Sequence, residues 1–279
     1  MHGMPSSDRL EWPAEWPAHE GARYKFSLAF VAVLGLMCIP VGYGFVAIGR
    51  PSAIKYVILF AVSCWLIAAF SYITRVRPQH REGDIALTSY DGRPATEIRY
   101  SLAQFVLLAV LTVCLVVLCA LASWDFAFAG EEVPAAPVAA TLCGLAAVFF
   151  FSFFVLVARG RLRRGRIVLA PQGVYQEGRV FSSFLPRESF VGAKAAYNGT
   201  REILVVAYTN APWEKHQLRK AWKLDRLPPV PMVEIDTFHL AVDANLVYHL
   251  VMFYMEYPTA RAELGTEASL QRARTGTFE

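Results

Sequence analysis

Cysteine is absent from the whole C-terminal part of this chain. The five it has, Cys38, Cys64, Cys114, Cys119 and Cys143, lie inside apolar runs and form no C-x-x-C pair. A disulfide framework would place cysteines in the water-facing part, so these read as small, polarisable hydrophobes and report no redox compartment. Charge is scarce too. Only 18% of residues are charged and 55% are hydrophobic, against about 25% and 45–50% in an ordinary soluble domain. The surplus apolar content must be concentrated somewhere, and a membrane is the first place to look. Also missing are G-x-S-x-G, H-E-x-x-H, a Walker loop and a dinucleotide fingerprint, which leaves no motif for an enzyme, a metal site or a cofactor.

What is present is a set of long apolar runs. A helix needs about 20 apolar residues to cross the roughly 30 Å hydrocarbon core. Four stretches qualify, at about 26–48, 53–73, 102–124 and 138–158. Three carry no charged residue. The second has Lys55 near its start, where the ammonium is expected to reach back to the headgroups. Pro40 is expected to kink the first span. That span is not a cleaved signal peptide, because a polar segment (1–25) precedes it and its apolar run exceeds a signal h-region. All six histidines lie outside the spans. Ion and proton transporters usually keep ionisable groups in the bilayer interior, so their absence speaks against such a role. Run 149–154 is phenylalanine-rich all round its helix and reads as lipid-facing bulk.

Orientation follows from Lys and Arg in the short connections. Arg75, Arg77, Arg81, Arg93 and Arg99 stand between spans two and three, and an arginine run follows span four. The connection from Asp125 to Pro137 has three acidic residues and no basic one. Both termini are therefore expected to be cytoplasmic, in a cell inner (plasma) membrane.

The water-facing parts have a different texture. The N-terminal segment repeats Glu-Trp-Pro-Ala at 11–14 and 15–18. It reads as a pair of headgroup-level tryptophan anchors or, alternatively, as a short Pro-rich docking motif. Within 75–100, two β-prone runs flank Asp91-Gly92, a hairpin signal. Pro94 weakens it by removing a donor. Whether this hairpin joins the C-terminal domain or offers a free edge stays open. From Arg166 on, short alternating runs predict strands at 166–170, 174–176, 180–185, 190–197, 202–208 and 233–240. Asn198-Gly199 is expected to form a primed turn between the fourth and fifth, a stronger reading than its glycosylation sequon. Asp243 caps a helix with an apolar stripe at Leu246, Leu250, Phe253, Tyr254 and Tyr257, which Pro258 ends. The stretch 266–279 is expected to be a polar, frayed tail.

The run Ile167-Val-Leu-Ala-Pro-Gln-Gly-Val174, the turn Asn198-Gly199 and the closing run Ile235–Tyr254 resemble the pleckstrin-homology-like domain of bacterial multi-pass membrane proteins. The resemblance covers about the last two-fifths of the chain, and the Lys-, Arg- and Pro-rich stretch 213–231 departs from it. It implies an α+β domain (159–265), a β-barrel or sheet capped by a helix, beside an α-helical membrane domain of four transmembrane helices (26–158). It further implies scaffolding or lipid-proximal binding, and no catalytic residues.

Two basic clusters are candidate sites. Arg159, Arg161, Arg163, Arg164 and Arg166 form a juxtamembrane collar suited to anionic headgroups, or equally a topology signal. Trp213, Lys215, Arg219, Lys220, Trp222 and Lys223 form a candidate partner surface; the juxtamembrane position and small net charge argue against nucleic acid. Glu234, Asp236 and His239 are close in sequence. Strand alternation would put His239 on the opposite face from the two carboxylates, so they are not expected to converge. Two functions are carried forward. The first is a non-catalytic membrane anchor presenting its PH-like domain to a protein partner, to a second copy of itself or to the lipid surface. The second is a transport or lipid-handling protein with a cavity between the spans.

Overall fold

The structure, a computed structural model, describes residues 10–17, 21–75, 84–129, 134–217, 222, 224–225 and 227–278. The chain divides into a helical unit and a sheet unit.

The helical unit contains α1 (Gly21–Ala47), α2 (Ile54–Arg75), α3 (Leu102–Ala127) and α4 (Ala136–Ala158). All four are long and apolar enough to cross a membrane. Large apolar side chains such as Phe30, Ile39, Leu145 and Phe151 are exposed, as expected of helices that are hydrophobic all round. The helix α1 runs without interruption through Pro40. Small residues let α1 and α2 approach: a Cβ on Gly35 would lie 2.8 Å from the Trp65 indole nitrogen and 3.4 Å from Cys64 Cβ. The Ser123 hydroxyl of α3 donates to the Ala140 carbonyl of α4 at 2.8 Å.

The expected reach of Lys55 towards headgroups is replaced by an ion pair. The helix α3 extends three residues beyond the expected end at Trp124, which carries Asp125 onto its last turn. There the carboxylate takes Lys55 Nζ at 2.6 Å and the Tyr56 hydroxyl at 2.7 Å. A counter-ion at the same level is a better partner for the ammonium than distant water.

The sheet unit draws on three separate stretches: the N-terminal segment, the α2–α3 connection, and everything from Arg161 onward. Its strands are β1 (Ile85–Tyr90), β2 (Arg93–Arg99), β3 (Arg166–Ala170), β4 (Gly173–Glu177), β5 (Phe181–Pro186), β6 (Phe190–Tyr197), β7 (Arg201–Ala207), β8 (Glu214–Gln217) and β9 (Met232–Asp236). They form two sheets, ordered β1-β2-β3-β4-β5-β8 and β6-β7-β9, with every neighbour antiparallel. Alternation builds the core. Phe181 and Leu185 of β5, Ile203 and Val205 of β7, and Val233 and Ile235 of β9 are all buried, with half-buried residues between them.

The open question of the hairpin is resolved by its register. The strand β2 pairs with β3, from Thr96 opposite Leu169 to Arg99 opposite Arg166. The turn has Asp91 at φ 50° and Gly92 at φ 73°, as a type I′ turn demands. Pro94 is tolerated because of where it sits. Tyr90 and Arg93 close the turn as a hydrogen-bonded pair, so the next pair, Ser89 and Pro94, needs no donor towards β1. On the other side β3 pairs only from Thr96 onward, so the missing N–H faces no acceptor strand.

Three details depart from expectation. The β6–β7 connection is a three-residue loop, Asn198–Thr200, in which Gly199 alone has positive φ (81°), rather than a two-residue primed turn. The helix α5 (Ala244–Glu256), capped by Asp243 Oδ1 at Asn245 N (2.8 Å) and Leu246 N (3.1 Å), buries Val247, Leu250, Val251 and Tyr254. That is the i, i+3, i+4, i+7 set; of the expected stripe Leu250, Phe253 and Tyr254 are buried, whereas Leu246 is half-buried and Tyr257 exposed. The tail also folds. Beyond Pro258, α6 (Glu267–Thr275) buries Leu270 and Ala273. Gly265, at φ 79°, comes so close to the hairpin that an added Cβ would lie 2.3 Å from Ala95 N, and its own N–H donates to Thr96 Oγ1 at 3.0 Å. A short apolar pattern among charges hid this docking.

The tandem Trp-Pro segment is not a pair of headgroup anchors. Trp16 is 2% exposed, and its indole N–H donates to the Ala196 carbonyl at 3.0 Å. Trp12 donates to the Trp16 carbonyl at 3.2 Å and faces the Arg201 guanidinium at 5.1 Å. Asn245 Nδ2 donates to the Leu10 carbonyl. The segment docks on its own chain, because an indole with a buried donor needs an acceptor and the β6–β7 backbone supplies one.

Candidate functional site

The arginine collar is divided among different partners. Arg159 caps the C-terminus of α4 and is exposed, and Arg161 is exposed. The other three pair with carboxylates of the sheet unit while keeping part of their surface in solvent. The β3–β4 register sets Arg166 opposite Glu177, and the buried Glu177 carboxylate accepts from Arg166 Nε at 2.6 Å and from Arg163 Nη1. Arg166 also reaches Glu97 Oε1 at 3.4 Å, and Arg99 holds the other Glu97 oxygen at 3.2 Å. Arg164 donates to the Tyr100 carbonyl and pairs with Asp84 at 2.9 Å. This network ties β2, β3 and β4 together, and among the described residues Arg159 and Arg161 are given no carboxylate partner.

Of the second cluster, Trp213 and Lys215 lie at one sheet edge. The strand β8 pairs with β5 on one side, from Phe181 opposite Gln217 to Phe184 opposite Glu214. Among the described residues no strand pairs its other side. All four of its residues are exposed. Trp213 is half-buried against the core, and Lys215 Nζ lies 4.8 Å from its ring centroid. Trp222 is half-buried. Arg219, Lys220 and Lys223 lie outside the described residues.

Glu234, Asp236 and His239 do converge, contrary to the alternation argument. That argument holds only as far as the strand does. The strand β9 ends at Asp236, whose Oδ1 accepts from Phe238 N at 2.9 Å and starts a single 3₁₀ turn, Thr237–His239. The turn carries His239 back to the face of the two carboxylates. All three line a cavity of about 270 Å³ together with Tyr100, Gln176, Phe181, Leu224 and Asp225. Arg179, buried in the β4–β5 turn, donates from Nη2 to His239 Nδ1 at 3.2 Å. The other ring nitrogen, Nε2, stands 3.9 Å from both the Asp225 and Asp236 carboxylates.

Burial governs the ionisation of this group. It pushes His239 down to about 3, with the Arg179 charge adding to the effect, so the imidazole is neutral at physiological pH. Burial, then the charges of Glu234 and Asp225, push Asp236 up to about 6. Asp225 is raised mainly by burial, partly offset by the Arg179 backbone N–H and guanidinium. The Tyr100 hydroxyl is raised by burial and stays protonated. With a neutral imidazole, the 3.9 Å approaches are not ion pairs. Sequence reasoning missed Gln176, Arg179 and Asp225. Gln176 and Arg179 sit in ordinary strand and turn context, and Asp225 lies in an aperiodic Lys-, Arg- and Pro-rich stretch, so no spacing links them. Among the described residues no group of His, Cys, Asp or Glu side chains is arranged to hold a metal ion.

No family model matches the chain, and comparisons with curated proteins and with solved structures give no match either.

Proposed function

We propose that this chain is a non-catalytic membrane-anchored interaction protein. Its four helices hold it in the inner membrane with both termini cytoplasmic, and its PH-like sheet unit takes an acidic, extended segment of a protein partner along β8. The observation that carries this reading is the edge of β8 that no strand among the described residues pairs. A row of unpaired backbone N–H and C=O groups is a template for an added strand, and natural sheets normally cover or blunt such edges. The opposite edge of the same sheet, β1, has the folded tail packed against it. Lys215 and His216 lie on β8 itself, and the basic residues that follow in sequence favour an acidic partner over a basic one.

Two sheets with α5 packed into their shared core support the PH-like assignment. The pairing of Arg163, Arg164 and Arg166 with Glu177, Asp84 and Glu97 favours a protein partner over a lipid clamp as the main role. Arg159 and Arg161 supply a modest attraction to anionic lipid, on the order of 1 kcal/mol each. The basic connections support a cytoplasmic side for this unit, and its assembly from the N-terminal segment, the hairpin and the C-terminal stretch is consistent with all three lying on one side.

Mass spectrometry of the full chain, gently extracted with its lipids and companions, tests the reading. A stoichiometric protein partner is expected, lost in K215E/H216E and kept in R159A/R161A. A partner indifferent to the β8 substitutions, or retention of a lipid alone, refutes it.

A further inference from the structure

The tandem Glu-Trp-Pro-Ala repeat has two units, and the groove that holds it takes one tryptophan. Trp16 is the one taken. It is 2% exposed, its ring centroid lies 5.7 Å from that of Tyr248 on α5, and its indole N–H donates to the Ala196 carbonyl at 3.0 Å. Trp12 stays outside, 41% exposed and edge-on to Trp16 at 5.6 Å. The bonds upstream reach the backbone of the segment. Asn245 Nδ2 donates to the Leu10 carbonyl at 3.2 Å, and His249 Nε2 lies 2.8 Å from the Glu11 carbonyl oxygen.

The groove reads a tryptophan ring and main-chain carbonyls, and both units offer these. Glu11-Trp12-Pro13-Ala14 and Glu15-Trp16-Pro17-Ala18 are identical. Each tryptophan precedes a proline, which biases both to extended backbone. A slide of four residues would set Trp12 in the Trp16 pocket with the same neighbours, Glu before it and Pro-Ala after it. The carbonyls that face Asn245 and His249 can come from any residue. The slide would give up the edge contact between the rings, the bond from the Trp12 indole to the Trp16 carbonyl at 3.2 Å, and the Trp12 face that meets Arg201. It would also put Arg9 in the place of Pro13, whose carbonyl closes the turn before Trp16. The observed register is therefore the favoured one, and loss of Trp16 is costly even with Trp12 in its place.

We infer that the N-terminal segment is a strap with two registers, in which Trp16 or Trp12 fills one pocket and the chain from that pocket to α1 has one of two lengths. Residues 17–20 separate Trp16 from Gly21, and residues 13–20 separate Trp12 from it. At about 3.3–3.6 Å per extended residue, the slide adds up to roughly 13–14 Å of chain. A tether that lengthens in one step sets two limits on the reach of the sheet unit. None of the groups that hold the strap lies on β8, so it works whether or not a strand adds there.

Fluorine NMR of the full chain in lipid nanodiscs, labelled with fluorotryptophan, tests this in W12A, W16A and W16F. In the unsubstituted chain Trp16 should give a resonance shielded from an aqueous paramagnetic agent and Trp12 an accessible one, as their burial requires. In W16A the Trp12 resonance is expected to move to the shielded position. In W16F, which keeps a ring in the pocket and serves where W16A does not fold, it is expected to divide between the two. W12A should leave the Trp16 resonance shielded. Urea unfolding gives a second reading. If Trp12 stands in for Trp16, the double variant W12A/W16A loses more stability than the two single losses summed, whereas two rings that merely touch make it lose less. A Trp12 resonance that stays accessible in W16A and W16F, or a double loss at or below the sum, overturns the proposal.

Discussion

Replacing His239 by Asn should turn a stretch of the pH–stability profile that falls on acidification into one that rises, and replacing Asp236 by Asn should steepen the fall. The two groups oppose each other. His239 is held down to about 3 in the folded chain, against about 6.5 unfolded. Between those values the unfolded state binds a proton that the folded state does not, so stability falls as pH falls. Asp236 is pushed up to about 6, against about 3.9 unfolded. Between those values the folded state holds the extra proton, so stability rises as pH falls. From about pH 6 to 4 the two oppose each other, and the screened Asp236 effect offsets part of the His239 loss. An unscreened group alone has a slope of about 1.4 kcal/mol per pH unit within its window. The His239 side chain is 15% exposed, so followed to pH 3 its whole effect is about 4–5 kcal/mol. The Asp236 side chain is about a third exposed, 33%, and solvent screening cuts its total to about 1.5 kcal/mol. Asn at 239 keeps an acceptor for Arg179 near the Nδ1 position. The assay is urea unfolding in detergent at pH 4.5, 5.5 and 6.5, followed by tryptophan emission from the sheet unit and read as the difference from the unsubstituted chain, which cancels all other groups. Parallel profiles for H239N and D236N would refute the reasoning.

The arginine network gives a second test: E177Q removes the buried carboxylate that serves Arg163 and Arg166. Both arginines retain solvent access, so the expected loss is about 1–3 kcal/mol rather than the larger cost of a fully stranded charge; urea midpoints of E177Q against R163A show whether the carboxylate is the shared centre. W16A should cost about 3–5 kcal/mol of sheet-unit stability, as for a large buried aromatic. W12A, at an exposed ring, should cost about 1 kcal/mol, measured by the same unfolding series.

Much of the architecture was legible because it obeys simple periods. Apolar length alone located the four helices. Period-two alternation placed β3 to β7 and β9, and Asp243 marked the start of α5. What was not legible shares one physical cause: alternation says which face a residue takes, and not which strand lies beside it. That β2 pairs with β3 depends on two segments separated by two whole helices. A run of arginines likewise does not state its counter-ion, and a lipid phosphate and the Glu177 carboxylate are equally good partners until β3 and β4 are laid side by side. Alternation misplaces His239 because it carries the strand on to Leu240, whereas the Asp236 side chain ends it at residue 236. Asp225 was invisible because its role is set by the β4–β5 turn across the cavity.

The three-stretch construction of the sheet unit gives the order of synthesis a consequence. Leu10–Trp16 and the β1–β2 hairpin leave the ribosome early, yet the surfaces they dock on, β3 and the β6–β7 pair, are made only after all four helices. Until then β2 waits with one edge bare. If a helix failed to insert, or the bundle inserted inverted between α2 and α3, the hairpin would be stranded across the bilayer from β3. The six-stranded sheet would then lack two members, and Ile98, Ile167 and Leu169 could not close the core they share. Folding of this domain therefore depends on the placement of the helices that separate its three stretches, although no helix contributes a strand to it.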